Sequence, residues 1–249
     1  MQYINKKLTG GAVVPLVSIG EKMIEAIFLE EVNPRFIGKV LINGVVEECY
    51  IASSAKLSNF INLVGETVIL KCNTNKKART KYTLYGLKKR KNIILLNLNS
   101  VNIYFEELYR ENKLQGYEFS EIGKKEVFVE DYKADYYIPS LRLVIENKTI
   151  ISENEIAYFP MKGSKRAIEQ MRKIGSLIKQ GYKTKYNIFI LTPDTKKITL
   201  ADPTSEFIRL FSENIEKGME YYIYYLFMQD DELHCMRYGG TINSVELNS

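Results

Sequence analysis

The chain has one histidine, His234, and three cysteines, Cys49, Cys72 and Cys235, among 249 residues. Metal centres built on two histidines are thereby excluded, and a Ser-His-Asp triad would rest on a residue close to the C-terminus. The cysteines are odd in number, far apart and in no metal-ligand spacing, which points to a reduced, cytoplasmic setting. No apolar run reaches the roughly 18–20 residues of a membrane helix, so no membrane partner is expected. Lys6-Lys7 and the apolar segment after them have the outline of a signal peptide. Gly10, Gly11 and Pro15 dilute it, however, and no small-residue cleavage site follows, so residues 1–25 are expected to form an arm or an extra strand. Glycine-rich phosphate loops are missing too, since Gly10-Gly11 and Gly239-Gly240 lack the required partner residues.

What is present is an ordinary globular composition, 45% hydrophobic and 26% charged, in a chain long enough for one large or two small domains. Thirty-five basic against 30 acidic residues give +5, compatible with a polyanionic partner without demanding one. Segments 26–30, 36–42, 45–51, 67–72, 82–87 and 93–98 read as short strands, with Asn43-Gly44 as a hairpin turn. Strands so closely spaced suggest a small barrel over residues 26–98. Its cations cluster at Lys71, Lys76, Lys77, Arg79 and Lys81, and again at Lys88, Lys89, Arg90 and Lys91. Tyr82 and Tyr85 lie between the clusters, either as base-stacking faces beside a phosphate track or as core residues next to solvated turns.

From residue 99 the pattern becomes helical. Val101, Phe105, Leu108 and Tyr109 recur at three and four residues, leaving Asn102 and Glu106 together on another face. Residues 164–180 form a second helix whose inward stripe is Ala167, Ile168, Met171, Ile174 and Ile178. Lys165, Arg166, Arg172, Lys173 and Lys179 cover the rest, and Gly181 stops it. Residues 186–192 read as a buried strand. Asp202-Pro203 opens a third helix running to 218, an aromatic strand over 221–228 follows, and 233–249 reads as a loose tail. The layout over 99–232 is α/β, a mixed sheet covered by helices.

Between the first two helices lies VFVEDYKADYYIPSLRLVIENKTII, residues 127–151, two strand-like runs joined at Pro139-Ser140. With the turn centred near Ser140 and Leu141, antiparallel counting sets Asp135 opposite Glu146, Cβ atoms about 4.5–5.5 Å apart. Alternation puts Lys148 on the face of Glu146 and Asn147 on the other. Two carboxylates at that spacing repel unless a cation lies between them, and a hard divalent ion with oxygen ligands suits them. Such an ion polarises a phosphodiester, and a nearby lysine stabilises the charge that develops. The same residues could instead form a solvated hairpin face with an ion pair worth at most about 1 kcal/mol.

The order of features resembles the sugar fermentation stimulation protein family. The resemblance runs from about Phe28 to Tyr225 and is carried by NPRFIGKVLINGVVEECYIASSAKL, RTKYTLYGL, residues 102–108, LQGY, Asp135, IENK, FPMKGSKRA, QGYK, ADP and KGMEYYIYY. It implies an N-terminal OB-like barrel joined to a restriction-endonuclease-like domain of the PD-(D/E)xK class, with DNA binding and a metal-dependent nuclease activity. Asp135, Glu146 and Lys148 occupy the motif positions, and Glu106 fits the additional helical acid of the family. The implied cofactor is Mg2+ or Mn2+, held by Asp135, Glu146 and the carbonyl of Asn147. The implied partner is DNA or RNA. The clustered cations Lys76, Lys77, Arg79, Lys81, Lys88, Lys89, Arg90 and Lys91, with Lys165 and Arg166 of the second helix, are the residues expected to contact it; the oligomeric state is open, a dimer included. The chain departs from the family pattern at Met161, at Lys165, at Ser53-Ser54-Ala55-Lys56, and at Asn147, where an apolar residue is usual.

Overall fold

In the computed structural model, which describes residues 12–15, 23–32, 36–53, 56–75, 77–152, 154–160, 164–230, 232–239 and 242, strand β1 (Ala12–Pro15) precedes a barrel. The barrel consists of β2 (Met23–Val32), β3 (Ile37–Ile42), β4 (Val45–Tyr50), β5 (Thr67–Cys72) and β6 (Tyr82–Lys89). Asn43 at φ 48 and Gly44 at φ 81 give the two positive φ angles that a two-residue hairpin turn requires between β3 and β4. β2 pairs with β3 and β5, β3 with β4, and β5 with β6, all antiparallel; a parallel contact of β4 with β6 closes the ring. That is the strand order of an OB-type barrel. Phe28, Val40, Cys49, Leu57, Val68, Leu70 and Leu84 fill it.

β7 (Asn92–Leu95) carries the hydrogen bonding out of the barrel, pairing with β6 on one side and with β14 (Glu220–Gln229) on the other. Between them in sequence come α1 (Val101–Arg110), β8 (Lys124–Val129), β9 (Tyr132–Ile138), β10 (Leu143–Ile150), β11 (Ile156–Phe159), α2 (Lys165–Lys179), β12 (Lys183–Ile190), β13 (Lys197–Leu200) and α3 (Glu206–Glu216). The sheet runs β14, β12, β10, β9, β8. Its first three strands are parallel and its last two antiparallel. β11 and β13 form a separate parallel pair.

Two cores flank this sheet. Phe105 and Leu108 of α1 join Tyr117, Tyr136, Ile145 and Phe189 in a core continuous with that of the barrel. Met171, Ile174 and Leu177 of α2 and Phe207 and Phe211 of α3 pack with Val144, Tyr186, Ile188 and Ile223. The fold is thus α/β, with helices against a mixed sheet as the sequence pattern implied. No helix among the described residues is long and apolar enough to cross a membrane.

Two readings are corrected. Residues 232–237 are strand β15 (Glu232–Arg237), paired with β14 and with β1. Leu233 and Cys235 alternate into the core there, so only two inward residues were needed to turn the start of the expected tail into a strand. The third helix is capped by Ser205, whose Oγ accepts the Ile208 N–H at 3.4 Å. Asp202 closes its own turn, accepting the Thr204 N–H at 2.9 Å, an alternative always open to a short carboxylate.

Candidate metal and phosphodiester site

The β9–β10 hairpin turns through a 3-10 segment, Pro139–Leu141, with Arg142 in the left-handed region at φ 49. Leu143 pairs with Ile138 and Ile145 with Tyr136. One more step of this register sets Asp135 against Glu146, the juxtaposition expected from the sequence. Both carboxylates are held. Asp135 Oδ2 accepts the backbone N–H of Asn147 at 2.8 Å, and its Oδ1 accepts Asn102 Nδ2 at 3.1 Å. Glu146 is 2% exposed. Its Oε2 accepts the Tyr132 hydroxyl, and its Oε1 accepts the Lys148 ammonium and, at 3.3 Å, Gln170 Nε2. Lys148 also donates to Gln170 Oε1 at 3.1 Å.

Burial pushes the Asp135 carboxyl up to about 6, and the Glu146 carboxylate beside it pushes the same way. The Asn147 N–H, Lys148 and Asn102 oppose the shift without cancelling it. Two close carboxylates are oxygen ligands of the kind a hard divalent cation takes. Among the described residues no three His, Cys, Asp or Glu side chains group as metal ligands.

Behind Asp135 runs a line of amides. Tyr117 OH donates to Asn187 Oδ1 at 2.9 Å, Asn187 Nδ2 to Asn147 Oδ1 at 2.8 Å, and Asn147 Nδ2 to Asn102 Oδ1 at 3.0 Å. The parallel register of β10 on β12 sets Asn147 beside Asn187. This gives the polar side chain at position 147 a partner inside the sheet. In front of Asp135 opens a cleft of about 500 Å³, walled in part by Asn102, Tyr132, Gln170, Arg166 and Lys173. A smaller hollow of about 340 Å³, lined by Lys148, shares Asn99, Asn102 and Glu126 with it.

Asp135, Glu146, Asn147 and Lys148 therefore come together, and Arg166 lines the cleft in front of Asp135. Glu106 does not join them. Its carboxylate is paired with Arg110 at 2.7 Å and Lys125 at 3.2 Å. Asn102, one helical turn earlier, is the α1 side chain that reaches Asp135, and Glu106 lies past the hairpin against β8. Sequence reasoning missed Tyr132, Gln170, Tyr117 and Asn187. Gln170 carried a signal, since it falls on the inward face of α2 between Ala167 and Ile174; Asn187 is likewise a polar residue inside a buried strand.

On the barrel, Lys81 pairs with Glu47 at 3.0 Å, Lys88 with Glu25, and Lys89 with Glu66 at 2.8 Å. Arg90, at φ 55, and Lys91 form the β6–β7 turn. Lys76, Met161 and the Ser54-Ala55 departure lie outside the described residues. Lys165 is exposed at the start of α2. Tyr85 is a core residue, 2% exposed, its hydroxyl 2.8 Å from that of Tyr104; Tyr82 packs against the same core. Tyr85 is therefore no free stacking face, while Tyr82 is only partly buried.

Comparison with known proteins agrees with this architecture. The model of a family described as "Sugar fermentation stimulation protein RE domain" matches residues 99–232. A sugar fermentation stimulation protein homolog of Aquifex aeolicus is 27% identical over 201 residues, covering 80% of this chain and 88% of that one. One of Alkaliphilus oremlandii is 27% identical over 225 residues, covering 86% and 94%. The structure of Pyrococcus furiosus SfsA in complex with Ca2+ superposes with a TM-score of 0.76 at 22% identity, covering 94% of this chain and 99% of that one. A shared fold and a family model that matches residues 99–232, more than half of the chain, lead to one assignment: the chain belongs to the sugar fermentation stimulation protein family.

Proposed function

We propose that this chain is a cytoplasmic nucleic-acid-binding protein with a divalent-metal phosphodiesterase site at Asp135, Glu146 and Lys148. The observation that carries the reading is the β9–β10 register that sets the Asp135 carboxylate beside the buried Glu146 carboxylate, with Lys148 against it; burial and Glu146 together push the Asp135 carboxyl up. Two buried carboxylates in that state repel, and a hard cation relieves them. Pyrococcus furiosus SfsA is in complex with Ca2+, an ion of this class.

Asp135, Glu146 and the carbonyl of Asn147 would hold Mg2+ or Mn2+. When bound, the ion would polarise a phosphodiester and lower the pKa of its water. Tyr132 and Gln170 fix the Glu146 carboxylate, Asn102 fixes that of Asp135, and Lys148 places its ammonium where charge on a phosphoryl group would develop. Arg166 on the cleft wall, Lys165 beside it, and the barrel cations Lys76, Lys77, Arg79, Lys81, Lys88, Lys89, Arg90 and Lys91 supply attraction for DNA or RNA.

Nicking of supercoiled plasmid tests this. It should require Mg2+ or Mn2+, stop in EDTA, and be lost in Glu146→Gln. Nicking that survives Glu146→Gln overturns the reading.

A second reading, a DNA-binding or regulatory protein on a non-cutting nuclease scaffold, draws on the same geometry. All four carboxylate oxygens accept hydrogen bonds from the chain itself, and Glu106 is committed to Arg110 and Lys125. It expects retention of DNA with no nicking under either cation.

A further inference from the structure

Phe128 carries the most exposed aromatic ring among the described residues, 69% exposed although Val129 beside it is buried. Its strand, β8, ends the sheet, so no further strand covers the ring. In register it pairs with Lys133, two residues before Asp135. The ring lines the cleft of about 500 Å³ in front of Asp135, which it shares with Arg166 and Gln170 of α2.

The charges around this cleft are mostly matched already. Glu126 pairs with Lys133 at 2.9 Å, Asp131 with Lys173 at 3.2 Å, and Glu169 with Arg172 at 3.3 Å. Arg166 has no acid partner among the described residues, so it is the rim cation open to an incoming anion. Gln170 bonds to Glu146 and Lys148, which ties the α2 wall to the hairpin carboxylates. A volume of about 500 Å³ is in the range of small-molecule sites; it takes one nucleotide unit and not two stacked strands. A second copy of the chain is a poor match for the same edge, because Lys124 and Lys125 and the break at Glu126, φ 50, guard β8 against strand pairing.

We propose that this cleft admits an unpaired nucleotide, its base on the Phe128 ring and its phosphate toward Arg166 and Asp135, so that single strands and frayed ends are selected over intact duplex. An unpaired base has a free face, and a ring stacks on any base. A duplex must first break a pair and unstack the base to reach the same place. The proposal rests on the reading of Asp135 and Glu146 as a phosphodiester site and adds Phe128 as its specificity-determining residue.

The chain contains no tryptophan, so Phe128→Trp puts a single emitter in the cleft of the full-length protein. With Ca2+ in the buffer, oligothymidylate should quench that emission by stacking, and a blunt duplex of the same length should not. With Mn2+, Phe128→Ala should lower kcat/KM on oligothymidylate about 5- to 100-fold, the strength of one stacked base, while Phe128→Tyr keeps it. Both variants should melt with the parent, since an exposed ring on an edge strand holds no core. Emission that oligothymidylate leaves unmoved overturns the proposal, and so does equal quenching by the duplex. A parent that sediments as a dimer and a Phe128→Ala protein that sediments as a monomer also overturn it, because the ring then belongs to a second copy. The two readings fail separately: quenching without nicking in Mn2+ removes the phosphodiesterase and keeps the nucleotide cleft, whereas nicking without quenching does the reverse.

Discussion

The backbone N–H of Asn147 donates to Asp135 Oδ2 at 2.8 Å, so the opposite strand itself orients the carboxylate. Asn102 takes the other oxygen, and behind it Asn147, Asn187 and Tyr117 pass hydrogen bonds along with every donor aimed toward Asp135. An ionised carboxylate only accepts. It therefore fixes the flip of each amide in the line, and the line fixes the carboxylate in return.

Asn187 is fully buried. Replacing it with leucine would leave the Tyr117 hydroxyl and the Asn147 amide oxygen unpaired, at about 1–3 kcal/mol each. Asn187→Leu should therefore lower unfolding stability by about 2–4 kcal/mol in urea, with an unchanged m-value, and Tyr117→Phe by about 1 kcal/mol. An Asn187→Leu protein as stable as the parent would show the line to be dispensable.

Lys148 is the cation that faces the buried Glu146 carboxylate. Lys148→Met leaves that carboxylate with Tyr132 and Gln170 alone. We expect a loss of about 2–3 kcal/mol, less than for a fully buried pair because the Lys148 side chain is 31% exposed. Adding Glu146→Gln removes the stranded charge, so the double variant should melt above Lys148→Met. Additive losses in thermal melts would count against a coupled pair.

Asp135 links the site to pH. An acid whose folded pKa is raised, here from 3.8 to about 6, is harder to ionise in the fold than in the unfolded chain. Cation-free protein should then lose stability as pH rises from about 4 to about 6, and show no further change from this group above that. A cation that binds the ionised form acts oppositely. Mn2+ should raise the melting temperature near pH 7.5 and lose that effect below about pH 6, as the proton competes about tenfold per unit. An Mn2+ increment equal at pH 5 and pH 7.5 would place the cation away from Asp135.

The meeting of Asp135 and Glu146 was legible because antiparallel pairing conserves register, once Pro139 and Ser140 marked the turn. The barrel was legible from Asn43-Gly44 and the short strand spacing. Glu106 was named from the family resemblance and from its sharing a face of α1 with Asn102; periodicity gives that face but not the ion pairs, and Arg110 and Lys125 hold its carboxylate. Lys88 and Lys89 looked like free cations because their acids, Glu25 and Glu66, sit 63 and 23 residues away in sequence. β15 was missed because two inward residues are too few to mark a strand.

Those ion pairs sharpen the last expectation, which concerns nucleic-acid affinity apart from cutting. Lys88 and Lys89 must leave Glu25 and Glu66 to reach a phosphate, whereas no acid pairs with Arg90 or Lys91 among the described residues. Arg90→Gln and Lys91→Gln should each flatten log K against log[salt] by about 0.7–0.9, the value for one phosphate neutralised. Lys88→Gln and Lys89→Gln should flatten it less and also unpair an acid, which repels the backbone. Glu146→Gln, set in the other half of the molecule, should leave the slope unchanged. Salt titrations of binding separate these cases. Should Arg90→Gln and Lys91→Gln both keep the parent slope, the turn is only solvated, and the phosphate track belongs along α2, where Lys165 and Arg166 lead into the Asp135 cleft.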